Sequence, residues 1–202
     1  MPVGPSSLAA GRNGAELIPP GVDVTRFTPG DDAARRRELV FVGRMDRTSA
    51  WKGVDVLVRA FAALADHLEL AERLGVRGRV EADGALAGAE LVRAVQLATV
   101  LVLPSTTNAE CAGTVLMEAM ACATPVVASD VGSLAYVVDD AAGLIVQPGQ
   151  PEALAAAIAR ILTEDGLAGK LGAAGRERAE RSFALPLLVE RYRAVFTRLA
   201  GR

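Results

Sequence analysis

The sequence predicts an α/β protein, a Rossmann-like parallel sheet with helices on both faces. Short, wholly apolar runs alternate with longer stretches of helical apolar spacing, the pattern of strands buried on both sides between crossover helices. Most of the runs stop at glycine, proline or serine. The apolar fraction, 51%, rests on alanine and aliphatic residues with only 4% aromatic, which favours Ala-rich helices packed on a sheet over a β-sandwich. At 202 residues, one globular domain is expected.

Taken in order, residues 1–36 read as an interdomain-type linker and extended segment outside the core. Pro19-Pro20-Gly21 and Pro29-Gly30-Asp31-Asp32 follow the small apolar patch of Leu17 and Ile18. The domain proper is expected over 37–202. Its first strand is the run Glu38-Leu39-Val40-Phe41-Val42-Gly43, and a helix over 52–65 follows, with Val54, Leu57, Val58, Phe61 and Leu64 as its apolar stripe. Residues 67–98 are less orderly: 68–74 reads helical, 79–82 as a short strand and 90–98 as a helix. Regular alternation resumes with a strand over 99–103 closed by Pro104, a helix over 114–122, a strand over 125–128 and another over 143–146. Pro151 opens a helix with Leu154, Ile158, Ile161 and Leu162 on one face. The last helix, 184–199, carries Leu188, Tyr192, Val195 and Leu199 on one side and is expected to dock.

Charge and composition narrow the function. A net charge of −2 and a pI near 5.5 give no basic face for nucleic acid. Cys111 and Cys122, with one histidine in the chain, suggest neither a disulfide framework nor a metal site and read as reduced thiols. No apolar run is long enough to span a membrane and no secretory signal is evident at the start, so a cytoplasmic protein is expected.

In a doubly covered parallel sheet, ligands bind at the carboxyl ends of the strands, where Gly43-Arg44, Pro104-Ser105 and Ser129-Asp130 fall. A helix opening at Gly113-Thr114 would present free N–H groups and a positive dipole end there, a site suited to phosphate. Glu118 lies one turn into that helix among apolar neighbours and needs a partner, which ribose or sugar hydroxyls or a structural arginine would supply. Glu110, in the preceding loop, is either a second polyol-facing carboxylate or a solvated charge beside the helix. Arg44 and Lys52, after the first strand, suit a diphosphate, although surface cations are commonly just solvated. His67 stands outside any motif and reads as a helix-surface residue.

Together these segments, Phe41-Val-Gly-Arg-Met, Lys52-Gly-Val-Asp, Pro104-Ser, Glu110-x7-Glu118-Ala-Met-Ala and Thr124-Pro-Val-Val-Ala-Ser-Asp-Val-Gly, resemble in type and order the family-four (group 1) retaining glycosyltransferases. The resemblance runs from Ile18-Pro-Pro-Gly-Val-Asp-Val-Thr-Arg-Phe to the closing helices and implies the C-terminal, donor-binding half of a GT-B fold. It implies a catalytic set of Glu110 on the transferred sugar with Arg44 and Lys52 on the donor diphosphate. Glu118 would take the ribose hydroxyls, with Gly43 and the backbone at Gly113 and Thr114 assisting, and no metal or further cofactor is expected. The chain departs from the family pattern at Cys111-Ala112-Gly113 for Ala-Phe-Gly, Ala123 for the glycine of Cys-Gly-Thr-Pro, Ser133 for the second glycine of a pair, and Tyr136 for a glutamate. The strand that such domains usually carry after the first helix has no counterpart near 62–70, so one interior strand is expected to be missing from the sheet or replaced by 79–82.

The expected function is binding of a nucleoside-diphosphate sugar, UDP- or GDP-linked, for retaining glycosyl transfer. The partner would be an acceptor-binding N-terminal domain or separate chain, without which the isolated chain is expected to be inactive. The last helix is a candidate for self-association, and peripheral membrane contact stays open. A non-catalytic remnant or interaction module and part of an epimerase are the alternatives. A dinucleotide oxidoreductase is set aside, because Val42-Gly-Arg-Met-Asp stands where G-x-G-x-x-G would be.

Overall fold

A computed structural model describes residues 18–31, 35, 38–66 and 83–201 of the chain. Strands β1 (Leu39–Val40), β2 (Val100–Leu103), β3 (Val126–Ser129) and β4 (Leu144–Val146) form one parallel sheet in the order β1-β2-β3-β4. The register pairs Leu39 with Val100, Leu101 with Val126 and Val127 with Leu144. Every residue of β2 and β3 is buried. Because side chains alternate across a strand, Leu101, Leu103, Val126 and Ala128 enter one core and Val100, Val102 and Val127 the other.

The helices α1 (Val54–Asp66), α2 (Gly88–Leu97), α3 (Thr114–Ala121), α4 (Leu134–Ala142), α5 (Pro151–Thr163), α6 (Leu167–Arg178) and α7 (Leu185–Ala200) divide between those cores. Residues of α2, α3 and α4 fill the first, together with Ala179 and Phe183 of a π-helical turn. Those of α1 and α5, with Leu171 of α6, fill the second. The expected α/β class with both faces covered is therefore present.

Several details differ from the sequence reading. The first strand is two residues long and half-buried, because it pairs with β2 alone among the described strands. Since β1 pairs directly with β2, and β2 with β3, there is no gap inside the described sheet of the kind a lost interior strand would leave. His67 and the readings of 68–74 and 79–82 lie outside the described residues. The buried stripe of α1 is Val56, Ala60 and Leu64, while Val58 is exposed. Periodicity of large residues had marked a neighbouring stripe, but a small side chain at Ala60 belongs to the face that packs toward α5. Val22 and Phe27, in the segment expected to stand outside the core, are buried in it. Val22 exchanges backbone hydrogen bonds with Phe183 and Leu185, and Arg176 donates to the carbonyls of Val24, Phe27 and Ala121. Helix α7 buries none of its residues, and Val189, Tyr192, Phe196 and Leu199 are exposed along it. Among the described residues no helix is long and apolar enough to cross a membrane.

Candidate functional site

The carboxyl ends of β1 and β2 and the start of α3 enclose a cavity of about 570 Å³, within the range of small-ligand sites. All seven residues singled out from the sequence line it: Gly43, Arg44, Lys52, Glu110, Gly113, Thr114 and Glu118. Val42, Thr48, Ser49, Trp51, Leu103 and Val115 complete the wall. Residues more than seventy positions apart in the chain converge because parallel pairing brings all strand ends to one edge.

One wall is tightly built. Lys52 Nζ lies 2.7 Å from Glu110 Oε2, and the Ser105 hydroxyl donates to the same oxygen at 3.0 Å. Glu110 is buried, as is Ser105, so the reading of Glu110 as a solvated loop charge does not apply. The Lys52 ammonium also sits 4.5 Å from the centre of the Trp51 ring, a cation–π contact. The loop bearing Lys52 is stitched to the one bearing Ser105 and Glu110. The Thr106 N–H and hydroxyl both donate to the Trp51 carbonyl, at 2.8 and 3.1 Å. Two glycines allow this crossing. Gly53 has φ 72° and Gly132 φ 55°, and a Cβ on either would be driven into a carbonyl oxygen, that of Pro104 or of Glu110 respectively. Asn108 Oδ1 accepts from the Gly132 N–H at 2.9 Å, closing the Glu110 loop onto the end of β3.

Other parts of the cavity wall are looser. The Arg44 side chain is 82% exposed and approaches Asp46 at 3.8 Å. Glu118 is half-buried, and no hydrogen bond or ion pair reaches its carboxylate among the described residues. Burial raises its pKa above the ordinary 4.5, partly offset by the charge of Arg26. Helix α3 begins after Gly113 with no side-chain cap; the Leu116 N–H donates back to the Gly113 carbonyl, which leaves the N–H groups of Thr114 and Val115 open where these residues line the cavity. The combination of two cations, two carboxylates and an uncapped helix start suits a ligand with both phosphate and hydroxyl groups.

Sequence reasoning placed Ser105 at a strand end without linking it to Glu110, and it passed over Trp51, Thr48 and Ser49. The position of Ser105 directly after the strand-closing Pro104 was the available signal. Of the departures from the family pattern, Ala123 has φ 54°, a left-handed conformation that glycine adopts without cost. Tyr136 packs edge-on to Phe183 at 6.3 Å and under the Arg178 guanidinium. Cys111 is exposed; Cys122 is buried, which pushes its thiol up to about 12. Among the described residues no cluster of three potential metal ligands occurs.

The family model described as glycosyl transferases group 1 matches residues 67–178. A D-inositol 3-phosphate glycosyltransferase of Thermobifida fusca (strain YX) is 35% identical over 193 residues, covering 77% of this chain and 43% of its own length. The sucrose-phosphate synthase structure from Thermosynechococcus elongatus superposes with a TM-score of 0.74 and 29% identity, over 92% of this chain and 53% of that one. HepE from Anabaena, crystallised with UDP and glucose, shares the fold with a TM-score of 0.75 at 19% identity, over 94% of this chain and 58% of its own. The chain thus spans about half the length of the relatives it matches. On its sequence match, its parallel sheet and its site geometry, this chain belongs to the glycosyl transferases group 1 family.

Proposed function

We propose that the cavity binds a nucleoside-diphosphate sugar, UDP- or GDP-linked, and that the chain is the donor-binding domain of a retaining glycosyltransferase. The observation that carries this reading is the meeting, in one cavity, of Arg44, Lys52, Glu110, Glu118 and the uncapped start of α3. The diphosphate lies between Arg44, Lys52 and the α3 N–H groups around Gly113 and Thr114, with Gly43 leaving room beside it. Glu118 accepts from the ribose hydroxyls, which supply the partner its carboxylate lacks. Glu110 accepts from hydroxyls of the sugar. As the glycosidic bond breaks, negative charge grows on the departing diphosphate, and cations and N–H dipoles held in place beforehand stabilise it without a metal.

We infer that transfer also uses an acceptor-binding half, as a further domain or a separate chain. The share of relatives' length it spans and the exposed apolar side of α7 support that reading, and the same side is the surface for any self-association. We place the domain proper over 37–202, with Val22 and Phe27 of the preceding segment packed into its core. Two unpaired cysteines fit a cytoplasmic setting.

Calorimetric titration with UDP, GDP and their sugars tests the reading. Saturable binding that weakens in Glu118→Ala and Arg44→Ala is expected. A folded chain that binds none of them overturns it and leaves a non-catalytic module of the same fold.

A further inference from the structure

Glu110 presents its two carboxylate oxygens unequally. Both of its hydrogen bonds, from Lys52 at 2.7 Å and Ser105 at 3.0 Å, end on Oε2. Among the described residues no buried side-chain oxygen or nitrogen lacks a hydrogen-bond partner, so Oε1, which takes none, is the oxygen that reaches the cavity. A carboxylate on a side chain with three rotatable bonds keeps such an arrangement only if its anchors are themselves fixed. Ser105 is fixed: it is fully buried, Pro104 before it lies against Gly53, and Thr106 after it is bonded to Trp51. The lysine anchor is less constrained, being partly exposed on a flexible stem. When a diphosphate draws on the ammonium charge, the serine hydroxyl is the donor that stays.

We propose that Ser105 is a positioning residue of this site: it holds Glu110 Oε2 so that Oε1 stays aimed at a hydroxyl of the donor sugar, keeping the carboxylate from following Lys52 toward the diphosphate. The proposal rests on the donor-binding reading above and adds to it the origin of sugar recognition as distinct from nucleotide affinity.

The test is titration of the full chain with UDP against UDP-glucose and GDP against GDP-mannose, for wild type, Ser105→Ala, Glu110→Ala and the double variant, with thermal unfolding to establish that each is folded. The quantity read is the ratio of sugar-nucleotide to nucleotide affinity. The expected result is a wild-type preference for one sugar nucleotide that Ser105→Ala cuts about tenfold, the scale of one hydrogen bond to a charged group, with nucleotide affinity unchanged. In the Glu110→Ala background, Ser105→Ala then has no further effect. Three results overturn the proposal while donor binding stands: Ser105→Ala keeps the preference, weakens nucleotide and sugar nucleotide equally, or acts additively with Glu110→Ala. A wild type that binds nucleotides with no gain from either sugar also sinks it. No binding of any probe removes the donor reading itself, and the proposal falls with it.

Discussion

Two pairs of charged residues line the cavity, a cation and a carboxylate in each, and the fold holds them in opposite ways. Lys52 and Glu110 are paired, largely buried and anchored by Ser105 on two stitched loops. Arg44 stands out in solvent, and Glu118 has no hydrogen bond or ion pair among the described residues. The first pair is braced within the fold and keeps Glu110 Oε1 open, whereas no hydrogen bond or ion pair braces Glu118 and Arg44 is mostly exposed. Damage to the first is therefore expected to cost stability as well as donor binding, and damage to the second chiefly affinity.

The sharpest break comes from Gly132→Ala. A Cβ there collides with the Glu110 carbonyl at a backbone angle that side chains avoid, and the cost is about 3 to 5 kcal/mol, read by denaturant unfolding. Lys52→Met follows at about 2 to 3 kcal/mol, since it leaves a buried carboxylate without its cation; the pair keeps some contact with solvent, which lowers the penalty. Adding Glu110→Gln is expected to restore much of that stability and none of the donor binding. In the other pair, Arg44→Ala should leave stability within about 0.5 kcal/mol, because the side chain is exposed, while weakening UDP binding by roughly tenfold.

Glu118 separates the pairs by pH. Its pKa is raised on folding, so the folded state binds the proton more tightly than the unfolded one. Stability therefore falls as pH rises from the ordinary value of 4.5 through the raised value. Glu118→Gln should flatten that part of the stability–pH curve, and an unchanged slope would mean that the carboxylate is already accommodated. The smallest expected effect has the opposite sign: Ala123→Gly relieves a left-handed alanine and should raise stability by about 1 kcal/mol in the same unfolding assay. Loss of stability there would mean that the chain has adapted its packing to the alanine.

The sheet edge, helix α3 and the meeting of the seven candidate positions at one cavity were legible in the sequence, because apolar runs closed by glycine, proline or serine determine where a parallel sheet presents its carboxyl edge. The resemblance supplied the chemical roles, which spacing alone left open between binding and structure. Three features were not legible. The state of Glu110 depends on Ser105 and Lys52 meeting one oxygen, a distance that no pattern along the chain encodes. The buried stripe of α1 depends on which side chains fit against α5, so Ala60 counted for more than Val58. Sheet order depends on pairing between strands sixty residues apart, and the direct pairing of β1 with β2 leaves no gap inside the described sheet. Local apolar spacing and turn chemistry thus determined the kind of fold and the edge on which its site lies. Which carboxylate is held and which stands without a hydrogen bond was decided only by tertiary contacts, because hydrogen bonding and burial arise between segments that are distant in the chain.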